Sequence, residues 1–222
     1  MNLKVIIFGS TGMVGKGVLL ECLESPQVEF ILVINRRPCG IKNEKLKEII
    51  HHDFFDLSAI EKNFQGYNTC FFCLGVSAAG LSGKNYRKIT YDITINVAET
   101  LLKTNKELLF CYVSGAGTDS SEKSLMMWAR VKGRTENALL AMPFKNAYMF
   151  RPGYIHPMKG IRSGTTLYNF FYTIFKPLYF VLKPFNSIVT DTVSVGKAMI
   201  KAASQDYHKK VLESADINRL AK

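Results

Sequence analysis

Apolar and polar residues alternate in blocks along this chain. Leu3–Phe8 is a β-branched apolar run that ends in glycine, and Val14–Glu24 then sets Val14, Val18 and Cys22 on one side at helical spacing. Phe30–Ile34, Glu48–His52 and Thr69–Leu74 predict three further strands. Lys84–Lys106 reads as a long helix, Leu108–Ser114 as strand five, Glu122–Met142 as a helix, and Ala147–Phe150 as strand six. Near the end, Thr190, Asp191 and Thr192 look like an N-cap opening a helix over Val193–Ala203. Strands alternating with helices imply right-handed crossovers, hence an α/β, doubly wound parallel sheet covered on both faces. Neither a repeat nor a linker interrupts it. The reading is one domain over 1–222, with a core at 1–157 and a C-terminal helical extension at 158–222.

Composition narrows this only slightly. With 222 residues, 47% hydrophobic and 21% charged, the chain has the make-up of one globular domain, and disorder is excluded as its main state. Its net charge of +11 is the unusual feature and calls for an anionic partner. No helix-turn-helix, zinc-finger spacing or aromatic RNA-binding motif is present, so a nucleic acid is not expected. The five cysteines are too few and too odd in number for a disulfide framework. Cys70 and Cys73 lie three apart on a predicted strand and so face opposite ways, which argues against a redox pair or a metal site. No metal is expected. Reduced thiols and the lack of a long apolar N-terminal run predict a cytoplasmic protein.

The strongest local signal is the turn after strand one. Gly9, Thr11, Gly12, Met13, Val14 and Gly15 lie between a predicted strand and a predicted helix. Glycine there permits a tight turn, a close backbone approach to a pyrophosphate, and close packing of helix on strand, while the helix N-terminus offers free N–H donors. Dinucleotide binding follows. About 20 residues on, where a carboxylate would hold the ribose hydroxyls of NAD, stand Asn35, Arg36 and Arg37. Guanidinium forks suit a 2′-phosphate, so NADP(H) is the expected cofactor. Loops after the other strands should complete the site: Asp53 and Phe54 beside the adenine, then Leu74, Gly75 and Val76, then Pro152, Tyr154 and Ile155. His51 and His52 read as ordinary strand-end residues.

Six motifs now stand in order: Gly-x-x-Gly-x-x-Gly at 9–15, Asn-Arg-Arg at 35–37, Cys-Leu-Gly at 73–75, Val-Ser-Gly-Ala-Gly at 113–117, Val-Lys-Gly-x-x-Glu at 131–136 and Arg-Pro-Gly at 151–153. Over residues 1–157 this pattern resembles the atypical short-chain dehydrogenase/reductases, and among them the Tat-interacting-protein-like oxidoreductases. The resemblance implies a Rossmann-type sheet, NADP(H), and a catalytic set of Ser and Tyr-x-x-x-Lys. Ser114 then matches the serine that orients a substrate carbonyl, and Lys132 the lysine that holds the nicotinamide ribose. Where the tyrosine belongs, this chain has Trp128.

Positions 128 and 132 share a helix face, so Trp128 should point into the site. An indole N–H donates a hydrogen bond but does not ionise near neutral pH, and losing a positioned acid costs about 10²–10⁴-fold in rate. Three readings stay open here. The chain is an oxidoreductase for a small carbonyl or quinone-like substrate, with Tyr154 or His156 giving the proton. Alternatively, it is a silent NADP(H)-binding sensor or scaffold. In the third, substrate or water handles the proton.

The segment 165–185 carries aromatics, lysines and prolines without a single acid. It reads as a pocket wall or a homo-oligomer contact. An anionic membrane surface is the other partner it suits.

Overall fold

A computed structural model describes residues 2–161 and 187–222. Its core is a seven-stranded, wholly parallel sheet in the order β3-β2-β1-β4-β5-β6-β9. The strands are β1 (Leu3–Phe8), β2 (Val28–Asn35), β3 (Leu46–Ile50), β4 (Thr69–Phe72), β5 (Leu109–Val113), β6 (Asn146–Arg151) and β9 (Val211–Glu213). Crossovers run through α1 (Met13–Glu24), α2 (Gly83–Arg87), α3 (Ile93–Thr104) and α4 (Met127–Ala141), with α5 (Thr192–Gln205) and α6 (Ser214–Leu220) near the C-terminus. The predicted doubly wound Rossmann-type sheet is what forms. Strand order reverses between β1 and β4, and such switch points are where α/β sheets bind ligands.

Alternation along β1 shows why the core has two halves. Val5 and Ile7 pack with Val18, Leu19 and Cys22 of α1 and with Val195 and Met199 of α5. Ile6 and Phe8 face the other way, toward Phe64, Phe72, Val97 and Leu101. Cys70 belongs to the second face and Cys73 packs against the first, as their spacing requires. All five thiols are free.

Several boundaries differ from those the sequence suggests. The predicted helix 84–106 is three pieces, opened by Ser82, whose hydroxyl accepts from the Asn85 N–H, and interrupted by a π-helical turn at Lys88–Asp92. The helix expected from Glu122 begins at Met127. Asp119 prevents the earlier start, because its carboxylate accepts from the N–H groups of Ser121, Lys123 and Ser124 and knots 119–124 into a loop. The Ser121 hydroxyl, which also donates to it at 2.7 Å, together with those N–H groups holds the Asp119 carboxyl low, at about 2. β4 ends at Phe72 rather than Leu74.

Three short strands carry too little apolar pattern to be read from sequence: β9, β7 (Tyr154–His156) and β8 (Val189–Asp191), the last two pairing in parallel as a separate ribbon. Asp191 does cap α5, accepting from the Ser194 N–H at 2.7 Å. The expectations for 165–185 fall outside the described residues. Among those described, no helix is long and apolar enough to cross a membrane.

Candidate dinucleotide site

At the C-terminal end of the sheet, above the switch point, lies an open groove of about 880 Å³. Thr11, Gly12, Met13 and Val14 form one bank, Asn35, Arg36 and Arg37 one end, and Leu74, Gly75 and Val76 the opposite bank. A recess of about 490 Å³ continues it past Trp128 and Lys132 to Ser114, Pro152 and Ile155. Most of the residues singled out from sequence therefore meet in one place.

The glycines explain the shape. Gly9 holds φ +84, and a Cβ there would stand 2.7 Å from the Leu74 nitrogen. Gly15 does not line the groove. It lets α1 start directly over the turn, since a Cβ on it would lie 2.1 Å from the Gly9 carbonyl oxygen. The N-cap of α1 is Gly12, which has no side chain to offer, and no acid stands in the first turn. The opening amides of α1 are thus left to an anion in the groove. Across from them, a Cβ on Gly75 would meet no protein atom within 4 Å, so its absence widens the groove itself. A pyrophosphate fits this donor set and this space.

Asn35 and the two arginines divide their work. The Asn35 side chain is buried, accepts from the Ser10 hydroxyl at 2.9 Å and donates to Glu48 at 2.8 Å. Glu48 also accepts from the Cys39 N–H at 2.8 Å, so the turn after β2 is tied to β3. Arg36 and Arg37 are exposed at the rim. Among the described residues neither is shown with a hydrogen bond or an ion pair. Asp53 stands apart. Its carboxylate accepts from the Phe55 N–H at 2.9 Å, and Phe54 alone of that pair lines the groove. The Asp53 side chain thus caps its own turn and stands outside the lining of the groove.

At the recess, α4 presents Trp128, Lys132 and Glu136 as one stripe at i, i+4 and i+8. The indole reaches into both cavities and lies against Gly117, where an added Cβ would be 3.2 Å from Cη2. Lys132 donates to the Ser114 carbonyl oxygen. Burial pulls its ammonium down to about 8, while the carboxylate of Glu136 opposes that shift.

Ser114 corrects an expectation. Its hydroxyl donates to Glu136 at 2.5 Å, with the Phe150 carbonyl 3.2 Å away, so its single proton is directed into the protein. It lines the recess without a proton to orient a carbonyl. Tyr154 and His156 are corrected as well. Strand alternation turns Ile155 toward the recess and its two neighbours away from it, and neither of them lines either cavity.

Sequence reasoning missed other walls of the groove, chiefly Cys73, Tyr86 and Ser77–Ala79. Cys73 reads as a strand residue, yet the strand ends before it, and burial pushes its thiol up to about 12. Tyr86 falls inside the predicted helix from Lys84, but nothing in that pattern shows that its short first piece faces the groove. Among the described residues, no group of three His, Cys, Asp or Glu could hold a metal.

The profile of the NAD dependent epimerase/dehydratase family matches residues 5–124, which run from β1 through the Asp119 loop. The chain belongs to that family. It is therefore of the nicotinamide-dinucleotide, short-chain-dehydrogenase-like kind that the sequence motifs imply. Among similar proteins, "Protein FMP52, mitochondrial" of Debaryomyces hansenii is 30% identical over 153 residues, covering 68% of this chain and 66% of that protein. "Protein HTATIP2" of Rattus norvegicus is 29% identical over 154 residues, covering 68% and 62%. The chain thus spans a little under two thirds of the length of both relatives. Among solved structures, Gre2 of Candida albicans, described in complex with NADPH, superposes with a TM-score of 0.71 at 16% identity, over 95% of this chain and 77% of that one. That likeness is one of fold.

One expectation is overturned here. The cytoplasmic assignment is withdrawn, because similar proteins are named as mitochondrial. Free thiols separate reducing from oxidising compartments; they do not tell two reducing compartments apart.

Proposed function

We propose that this protein binds NADP(H) in the groove and passes hydride between it and a small quinone-like or carbonyl acceptor. The observation that carries the choice of dinucleotide is the pair Arg36 and Arg37, exposed at the rim where β2 ends. Glu48, the nearby carboxylate that could have taken a ribose, is already bound by Asn35 and the Cys39 N–H. The opening amides of α1 would receive the pyrophosphate, and Lys132 the nicotinamide ribose. NADP(H), when bound, supplies the hydride.

The residues around the recess bear on the acceptor. Trp128 can donate a hydrogen bond but not a proton, and the proton of Ser114 is engaged. Lys132 offers a positive charge, and its ammonium titrates at about 8. Hydride addition to a plain ketone leaves an alkoxide, whose affinity for a proton resembles that of hydroxide (bulk water, about 15.7). A quinone leaves a phenolate, with a pKa of about 10. The second anion needs far less help, so this donor set favours quinone-like acceptors over simple ketones. The same Trp128 favours the other reading, a sensor or scaffold that binds NADP(H) without turnover.

Titration with NADPH and NADH tests the first claim, and equal or tighter binding of NADH overturns it. Stopped-flow oxidation of bound NADPH by quinones, aldehydes and ketones tests the second. Faster oxidation by quinones supports the reductase, whereas no oxidation by any acceptor supports the sensor. A mitochondrial location, by analogy with the FMP52 relatives, is tested by fractionating cells that express the tagged protein.

A further inference from the structure

Of the sequence motifs, the Arg of Arg-Pro-Gly has had no part in the site so far, and the Glu of Val-Lys-Gly-x-x-Glu has appeared only as a neighbour of Ser114 and Lys132. They meet in the interior. Glu136 is fully buried. Arg151 donates from Nε to both its oxygens at 3.1 Å, and from its second terminal nitrogen to Oε2. Arg151 also reaches the Ser120 hydroxyl at 2.5 Å and Glu213 of β9 at 3.4 Å. Bonding to Glu136 holds the guanidinium firmly charged. On its other side Glu136 accepts from the Ser114 hydroxyl, and Ser114 in turn presents its carbonyl to Lys132.

The ends of β5 and β6 are joined at the same level. The Ser114 N–H donates to the Phe150 carbonyl at 2.8 Å and the Ala116 N–H to the Pro152 carbonyl at 2.9 Å. Glu136 is therefore where α4, β5 and β6 are locked together, one helical turn below Lys132 and two below Trp128.

We propose that Glu136 is a positioning residue for Lys132: gripped by Arg151 and Ser114, it sets the rotation of α4 and supplies the negative charge that keeps the Lys132 ammonium in place at the recess. This rests on the reading that Lys132 meets the cofactor ribose. Among the described residues, the charged and titratable groups on the elements around that ammonium are Glu136 on its own helix, Arg151 from β6, Glu213 from β9 through Arg151, the Tyr86 phenol from α2 and the neutral Cys73 thiol from the end of β4, the last two kept neutral by burial. Of these, Glu136 is the one whose charge favours the protonated lysine directly.

Two variants separate this from a merely structural role. Glu136→Gln keeps the shape and removes the charge; Glu136→Asp keeps the charge and shortens the reach. Lysines of the apo protein, reductively methylated with ¹³C, are titrated by NMR, with Lys132→Met assigning the signal. In Glu136→Gln the Lys132 midpoint moves below that of wild type, and NADPH binding weakens about tenfold, the size of one charge-assisted bond. In Glu136→Asp, NADPH binding weakens severalfold. An unmoved Lys132 midpoint in Glu136→Gln overturns the proposal, and so does an unchanged NADPH Kd in both variants. If Glu136→Gln fails to fold, Glu136→Asp decides, and wild-type affinity there overturns it. If wild type binds neither NADPH nor NADH, the proposed function fails, while the apo titration still tests the action of Glu136 on Lys132.

Discussion

The Ser114 hydroxyl donates to the Glu136 carboxylate at 2.5 Å, and this one bond directs its proton away from the recess that the serine lines. Ser114→Ala should then act on stability more than on chemistry. The buried carboxylate loses a donor, which costs about 1–3 kcal/mol, read by urea denaturation. Oxidation of NADPH by a quinone should stay within a few-fold of wild type. A loss of a hundredfold or more would restore Ser114 as a group that touches substrate.

Arg36 and Arg37 are expected to separate the two dinucleotides. Arg36→Ala and Arg37→Ala should each weaken NADPH binding by about tenfold or more, since a charge-assisted bond is worth about 1.5–3 kcal/mol. NADH affinity should hardly change. Calorimetry with both ligands reads the outcome, and parallel losses for the two would show that the arginines act on the common pyrophosphate.

Trp128→Tyr returns an ionisable hydroxyl to the helix face above Lys132. Reduction of simple ketones and aldehydes should rise, toward the 10²–10⁴-fold that a positioned acid supplies, while quinone reduction changes less. The measurement is the single-turnover rate with each acceptor class. An equal effect on both classes would mean that the indole acts by filling space.

Lys132 titrates at about 8, below the free lysine value, because burial disfavours its charge. NADPH affinity should fall as pH rises through about 8, and Lys132→Met should flatten that step. Stability moves the other way. Between about 8 and about 10.4, the unfolded chain still binds a proton that the folded chain has released, so this group's contribution to stability increases with pH across that window. Denaturation midpoints of wild type and Lys132→Met at pH 7.5 and 10 check the sign.

How much of this was legible follows from which forces leave a periodic trace. β1, β2 and β5 are long and apolar, and the Gly9–Gly15 turn joins one of them to a helix, so sheet and loop could be read directly. The start of α4 could not, because one carboxylate, Asp119, overrides the helical propensity of 122–126 through bonds that no pattern reveals. β7, β8 and β9 are three residues each, and their partners lie far away in sequence. Motif matching placed Ser114 at the recess, but the direction of its hydroxyl depends on the Glu136 and Phe150 acceptors, 22 and 36 residues away.

The ribbon of β7 and β8 bears on what fixes the sheet. Tyr154 pairs with Val189 and His156 with Asp191 in parallel, so the chain departs after His156 and re-enters at Val189, opposite Tyr154. Whatever length lies between is pinned at its root by three residue pairs, while the seven-stranded sheet draws its strands from outside it. The register of the sheet is thus set without the residues between His156 and Val189, although Met158 is still bonded to Thr192 and Lys159 to Glu21 and Glu24. The strands that carry the dinucleotide groove keep their places whatever follows the ribbon.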